Sequence, residues 1–298
     1  MDRLAAMRTF VRIAELGSFA AVADQAGVAR SVVTRQVAAL ERHLGTKLLT
    51  RSTRRLALTT AGTAYLEKCR VILNLVEAAE TGAAEHRATP RGPIRASLPL
   101  VFGLRRLAPL LLDFADRYPE VELDMDYTDR RVDLVEEGVD LSLRITARLE
   151  PTDVVRRLGS ARLQAVASAD YLARHGAPRH PRELAAHECL VYTTDARRAA
   201  WSFEVDGRVE QFAVRGRLHA NNGEVLAAAA ARGLGIALEP DFVFEPFAGR
   251  LVPVLAAFPT QPLGIYAVLP SNRYVPHRVR VLIDFLQERL QASPAVAR

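Results

Sequence analysis

The sequence predicts an α/β protein in three parts: a small, mainly helical N-terminal domain, one long helix, and a larger two-lobed α/β body. Three observations predict it. Apolar residues recur at helical spacing through residues 4–44, broken at Gly17 and Gly27. A second helical period runs through residues 60–88. After the breaker ATPRGPIRA at residues 88–96, short β-rich runs alternate with helical stretches.

Length and composition bound the class. At 298 residues, 49% of them hydrophobic, the chain exceeds one domain of ~100–200 residues and can bury more than one core. Its longest apolar stretches, such as LVPVLAAF after Arg250, fall far short of the ~20 residues of a membrane helix, and no leader pattern opens the chain. The expectation is a soluble, cytoplasmic protein. Cys69 and Cys189 are the only cysteines, too few for a disulfide framework and without metal-binding spacing, and are expected as structural thiols. Charge is segregated: residues 1–60 carry ten Lys/Arg against four Asp/Glu, an excess equal to the net +6 of the whole chain. A polyanionic partner should therefore meet this N-terminal segment.

The elements follow in order. Leu4, Met7, Phe10, Val11 and Ala14 share a helical face, and Gly17 ends that helix. Ser18 is placed to cap a second helix, which is expected to bury Phe19, Val22, Ala23 and Ala26 and to end at Gly27. The third carries one apolar stripe of Val33, Val37, Leu40 and Leu44. Two short helices about a glycine-containing turn are the signature of a helix-turn-helix.

Facing away from that stripe are Arg30, Ser31, Thr34 and Arg35, residue types that reach base edges and phosphates from the start of a recognition helix. The same pattern suits the solvated face of a helical hairpin, but the downstream segment weighs against that reading. LGTKLLTRSTRRLALTTAG, residues 44–62, alternates around a basic tip as a two-stranded wing would, with Arg51, Arg54 and Arg55 placed beside a duplex backbone or in its minor groove. Residues 1–59 are thus expected to form a winged helix-turn-helix that binds double-stranded DNA.

Thr59 and Thr60 read as caps for a long helix over residues 60–88. On it Tyr65, Cys69, Ile72, Val76, Ala79 and Ala83 step by four and three residues, the rhythm of a coiled-coil seam between two copies. The alternative is a helix packed on its own domain.

From residue 89 the body begins. PIRASL, VELDMDY, DLSLRI and LQAVAS read as strands, with helical stretches at GLRRLAPLLLDFADRY and ADYLARHG. WSFEV, RVEQFAVRGRLHA, GIALEP, LVPVL and LGIYAVLP follow, with a helix after Gly223 and a final amphipathic helix carrying Val279, Leu282, Ile283, Leu286 and Leu290. This order predicts a largely parallel sheet. One lobe is expected over about residues 93–161 and 266–298, and the other over about 162–265, with a cleft between.

Residues 10–62, FVRIAELGSFAAVADQAGVARSVVTRQVAALERHLGTKLLTRSTRRLALTTAG, closely resemble the N-terminus of LysR-type transcriptional regulators. PIRASLPLVFG, DRRVDLVEEGVDLSLRIT, ASADYLARHGAP and ARGLGIALEPDFV are similar to the periplasmic-binding-protein-like effector domain of that family, near its quinone-, aromatic- and aldehyde-responsive members. The likeness spans essentially the whole chain. Three departures stand out. Leu49 replaces a usual aromatic, Ala29-Arg30 replaces Ser-Pro and adds a basic group at the start of the recognition helix, and Val101 replaces a ligand-binding Ser or Thr.

The resemblance implies a homodimer or homotetramer that reads dyad-symmetric promoter sites, contacts RNA polymerase and associates with the nucleoid. It also implies a small-molecule effector between the lobes, near Pro99, Leu100, Val101, Thr128, Arg144, Thr146, Asn221 and Asn222. Thr128 and Asn221 equally suit turns or caps, and Arg144 an ordinary ion pair.

Catalysis finds no support. There is no nucleophile elbow, P-loop, HExxH or dinucleotide fingerprint, and His175, His180 and His187 suit no single metal face. No cofactor, metal or catalytic residue is expected. The competing class is a two-lobed solute-binding sensor or enzyme with only non-specific DNA binding.

Overall fold

The computed structural model describes residues 2–51, 56–82, 89–151, 153–193, 200–270 and 275–291. The chain divides into two compact units: Met1–Pro90 with Asp133–Val139 and Asn272–Arg280, and Arg91–Val132 with Asp140–Ser271 and Val281–Arg298.

In the first unit, α1 (Arg3–Leu16) is capped by Asp2, whose carboxylate accepts from the Ala5 amide, and ends at Gly17. Helix α2 (Phe19–Ala26) starts at Ser18, whose Oγ accepts from the Ala21 amide at 3.2 Å. It ends at Gly27, where φ is +64° and the Val28 amide donates back to the Ala23 carbonyl, a left-handed closure that favours glycine. Helix α3 (Arg30–Leu44) follows at once, and strands β1 (Leu49–Arg51) and β2 (Leu56–Leu58) pair antiparallel. Helix α4 (Thr60–Gly82) is capped by Thr59 rather than Thr60: the Thr59 Oγ1 accepts from the Gly62 amide at 2.8 Å.

The core of this unit gathers Phe10, Ile13, Phe19, Val22, Val33, Val37, Leu40 and Leu48. Two expectations are corrected. Ala26 is exposed, as the last residue of α2, where Phe19, Val22 and Ala23 make the buried face. Leu4 also lies near the surface, and Ala6 and Ile13 are buried instead.

The second unit holds two five-stranded sheets. The first is built from β3 (Gly92–Leu98), β4 (Val121–Tyr127), β5 (Leu141–Thr146), β6 (Val154–Ala161) and the late strand Leu263–Leu269, in the order β4-β3-β5-(263–269)-β6. The short helix α5 (Leu100–Phe102), a π-helical turn at Gly103–Leu107 and α6 (Ala108–Arg117) run on from β3.

The second sheet contains β7 (Leu163–Ala167) and β8 (Cys189–Tyr192), with α7 (Ala169–His175) between them. The hairpin β9 (Ala200–Val205) and β10 (Arg208–Ala213) turns at Asp206-Gly207, both with positive φ, the geometry such two-residue turns require. Strand β11 (His219–Ala220), helix α8 (Gly223–Ala231), strand β12 (Ile236–Pro240), helix α9 (Asp241–Phe244) and strand β13 (Val252–Val254) complete this lobe in the order β11-β8-β12-β7-β13. Strand β14 (Leu263–Leu269) then returns to the first sheet, and α10 (His277–Gln291) buries Leu282, Ile283 and Leu286.

The sheets are mixed rather than largely parallel. β3 is parallel to β4 and β5, but β14 pairs antiparallel with both β5 and β6. The chain leaves the first lobe along β6 and re-enters it along β14, so these two neighbours must run in opposite directions. In the second sheet β11, β8 and β12 are parallel, while β7 is antiparallel to β12 and β13.

Candidate nucleic-acid interface and ligand cleft

Arg30, Ser31 and Arg35 are exposed at the start of α3 and Thr34 is half-buried, while Val33, Val37 and Leu40 point into the core. The Arg35 guanidinium rests on the Ser31 carbonyl at 3.3 Å, a weak contact that leaves it available to a partner. Ala29 precedes the helix without any side-chain cap. The first amides of α3 therefore have no side-chain acceptor at this cap and can serve phosphate oxygens. Arg51 lies in β1, and Arg54 and Arg55 fall outside the described residues.

A residue absent from the sequence reading joins helix to wing. Glu41, on the buried face of α3, accepts from the Leu48 amide at 3.0 Å, the Leu49 amide at 3.3 Å and the Lys47 ammonium at 2.6 Å. Burial opposes its charge, but these donors outweigh burial and hold its pKa below the ordinary value. A charged residue in an apolar stripe was the available signal. Its partners seven and eight residues away were not.

On α4, Cys69 is wholly buried in the unit's own core and Tyr65 packs beside Phe10 at 5.9 Å between centroids. This corrects the assignment of Cys69 to a seam, since a buried side chain has no surface to offer a second copy; Tyr65 is only partly buried. Ile72 is 36% exposed and Val76 half-buried. The side chain of Ala79, and Ala83, lie outside the described set.

In the second unit, the carboxyl ends of the parallel strands in both lobes carry the predicted cleft residues. Pro99, Leu100 and Val101 follow β3, Thr128 follows β4, Arg144 and Thr146 end β5, and Asn221 and Asn222 follow β11. Several are already committed. The Asn222 Oδ1 caps α8, accepting from the Glu224 and Val225 amides at 3.0 and 3.2 Å. Arg144 sits 3.6 Å from Asp153 and donates to the Val132 carbonyl at 3.1 Å. Burial lowers its pKa, partly offset by Asp153. The Thr146 hydroxyl bonds the Arg148 carbonyl, and the Thr128 hydroxyl accepts from the Arg130 amide. Val101 is 7% exposed.

The lobes meet through residues that the sequence reading did not single out. Phe102 packs edge-on to Phe242 at 5.1 Å between centroids. Arg105 pairs with Glu224 at 2.9 Å and donates to the Phe242 carbonyl at 3.2 Å, and Arg106 pairs with Glu245. Glu239, near the carboxyl end of β12, is 4% exposed, and its Oε1 is buried without a hydrogen-bond partner among the described residues.

His175 and His187 pack on Tyr171, and His180 on Phe258. Among the described residues no cluster of three or more His, Cys, Asp or Glu could hold a metal, and no helix is long and apolar enough to cross a membrane.

Comparison with known proteins bears on both regions. The sequence pattern of bacterial regulatory helix-turn-helix proteins of the lysR family matches residues 4–63, and that of the LysR substrate binding domain matches residues 87–291. An HTH-type transcriptional regulator of Xanthomonas campestris pv. campestris (strain 8004) is 37% identical over 287 residues, covering 94% of this chain and 83% of its own. CrgA, an HTH-type transcriptional regulator of Neisseria meningitidis serogroup C, is 35% identical over 290 residues, or 95% of this chain and 96% of its own. The solved structure of CrgA, described as a LysR-type transcriptional regulator, has a TM-score of 0.59 at 33% identity, covering 95% of this chain and 97% of that one. A Corynebacterium glutamicum OxyR mutant shares the fold at a TM-score of 0.65 and 20% identity, over 97% of this chain and 92% of its own.

Proposed function

Because this chain belongs to the LysR family of DNA-binding transcriptional regulators, which are not enzymes, we propose that it reads dyad-symmetric promoter sites through α3 and the wing and is controlled by an effector held between its two lobes. The observation that carries the DNA reading is the start of α3. Arg30, Ser31 and Arg35 are exposed there beside a helix end with no capping side chain. Arginine can bond guanine O6 and N7, and the uncapped amides suit the flanking phosphate. Ala29-Arg30 brings an additional cation to that edge.

The effector reading rests on the two sets of strand ends and on the contacts between lobes. Ligands of open α/β sheets lie outside the carboxyl ends of the strands. An effector that favours one relation of the lobes over another shifts DNA binding by its differential affinity for the two. Val101 in place of a hydroxyl, together with the likeness to quinone-, aromatic- and aldehyde-responsive members, supports an effector with an apolar skeleton. The chain acts in the cytoplasm as a dimer or tetramer on the nucleoid, and its contact with RNA polymerase carries the response.

Selection of bound fragments from a random duplex pool, followed by footprinting, tests this reading. A motif with dyad symmetry and an extended footprint is expected; no enrichment at moderate salt would sink it. In the selected site Arg35→Ala should cost about 1–3 kcal/mol against the preferred base pair and relax discrimination. Arg54→Ala should weaken all sequences alike and lower the salt slope by about one.

A further inference from the structure

Glu239 is an unusual group to bury near the carboxyl end of a strand. It is the next-to-last residue of β12, opposite Gln164 of β7, and its Oε2 lies so close to the start of α8 that a Cβ on Gly223 would sit 2.7 Å away. Its other oxygen is buried with no hydrogen-bond partner among the described residues. Native folds rarely leave a buried carboxyl oxygen unbonded, because desolvation of that oxygen is then uncompensated.

Among the described residues, the charge that acts on Glu239 is itself acidic. Asp129, whose carboxylate accepts from the Leu100 amide at 2.9 Å in the opposite lobe, acts on Glu239, and both carboxylates act on the Tyr192 phenol. Burial first, and then Asp129, push the Glu239 carboxyl up to about 8. Arg105 and Arg106, which reach across from the opposite lobe, are paired with Glu224, the Phe242 carbonyl and Glu245. With its carboxyl held mostly protonated, Glu239 offers an anion no counter-charge and leaves it facing Asp129, whereas a cationic donor would satisfy Oε1 and draw the Glu239 carboxyl into its charged form.

We propose that the effector cleft of this chain takes a small amine, whose ammonium group bonds Glu239 while its apolar skeleton lies toward Val101, Phe102 and Phe242. This rests on the effector reading above and specifies its ligand class. Glu239 is then the residue that selects cation over anion, and the likeness to regulators of other chemical classes does not extend to the charge of the effector.

The test uses the purified full chain and matched probes: primary monoamines from methylamine to phenethylamine, and carboxylates of the same carbon skeletons, followed by calorimetry and thermal melting. At least one amine should bind with a stoichiometry of one per chain and raise the melting temperature, with its carboxylate counterpart inert. Glu239→Gln should weaken that amine by about 30-fold or more, since a desolvated charge pair is lost. Glu239→Leu, with no carboxyl left unpaired, should melt higher than the unsubstituted chain when ligand-free. Binding of carboxylates in preference to amines, binding of neither series, an unchanged amine affinity in Glu239→Gln, or a lower ligand-free melting point in Glu239→Leu would each overturn the proposal. Footprinting the same preparations on the selected duplex separates the two ideas: retained site-specific binding with a failed amine test removes only this inference, and lost site-specific binding removes the regulator reading itself.

Discussion

Replacing Glu41 by alanine should release the wing from the recognition helix. Its carboxylate is the acceptor for the Leu48 and Leu49 amides, and both residues are buried, so neither donor has ready access to water. Each unsatisfied buried donor costs about 1–3 kcal/mol. The Lys47 ammonium is 75% exposed and adds little. A loss of about 3 kcal/mol is expected, close to a 100-fold rise in local opening. Hydrogen exchange of the full chain, read at residues 47–49 by mass spectrometry, measures it directly. Glu41→Gln keeps one acceptor oxygen and should lose about 1 kcal/mol. The pH dependence has a definite sign. Glu41 has a folded pKa below its unfolded one, so its stabilisation is complete above the unfolded value and is lost as pH falls through the folded value. The difference in melting temperature between the unsubstituted chain and Glu41→Ala should therefore shrink in acid. Unchanged protection at Leu48 and Leu49 in Glu41→Ala at neutral pH would refute the clamp, as would a melting difference that does not depend on pH.

Two further outcomes are expected. Gly62→Ala drives a Cβ into the Leu48 carbonyl, where backbone and not a flexible side chain would have to move; thermal denaturation should show a loss of about 2 kcal/mol or more from overpacking. Cys69 and Cys189 are both fully buried, and burial pushes their thiols up to about 11 and about 12, so neither should react with a thiol reagent at pH ~8 until the chain unfolds. Rapid labelling of either in the folded protein would contradict this.

Much of the first unit was legible because its signals are local. Ser18, Gly17 and Gly27 act on backbone groups within a few residues, and the stripe Val33, Val37, Leu40 is set by helical period alone. Ala26 and Cys69 show where periodicity stops informing. Both lie on apolar helical positions, and only the packing of neighbouring helices places one outside the core and the other within it. Strand β6, with Arg156 and Arg157 in its middle and its first four residues exposed, presents no clean alternation and escaped the sequence reading.

The sequence by itself determined the helix-turn-helix, the concentration of positive charge over it and the alternation of strands and helices in the body, apart from β6 and β8. These follow from capping, periodicity and composition, which each segment carries alone. The tertiary structure decided which strands pair antiparallel, that Asn222 and Arg144 are held by the fold, that Glu41 joins helix to wing, and that Glu239 and Asp129 approach from different lobes. Those outcomes depend on which residues distant in the chain become neighbours, and burial then sets their hydrogen bonds and charge states.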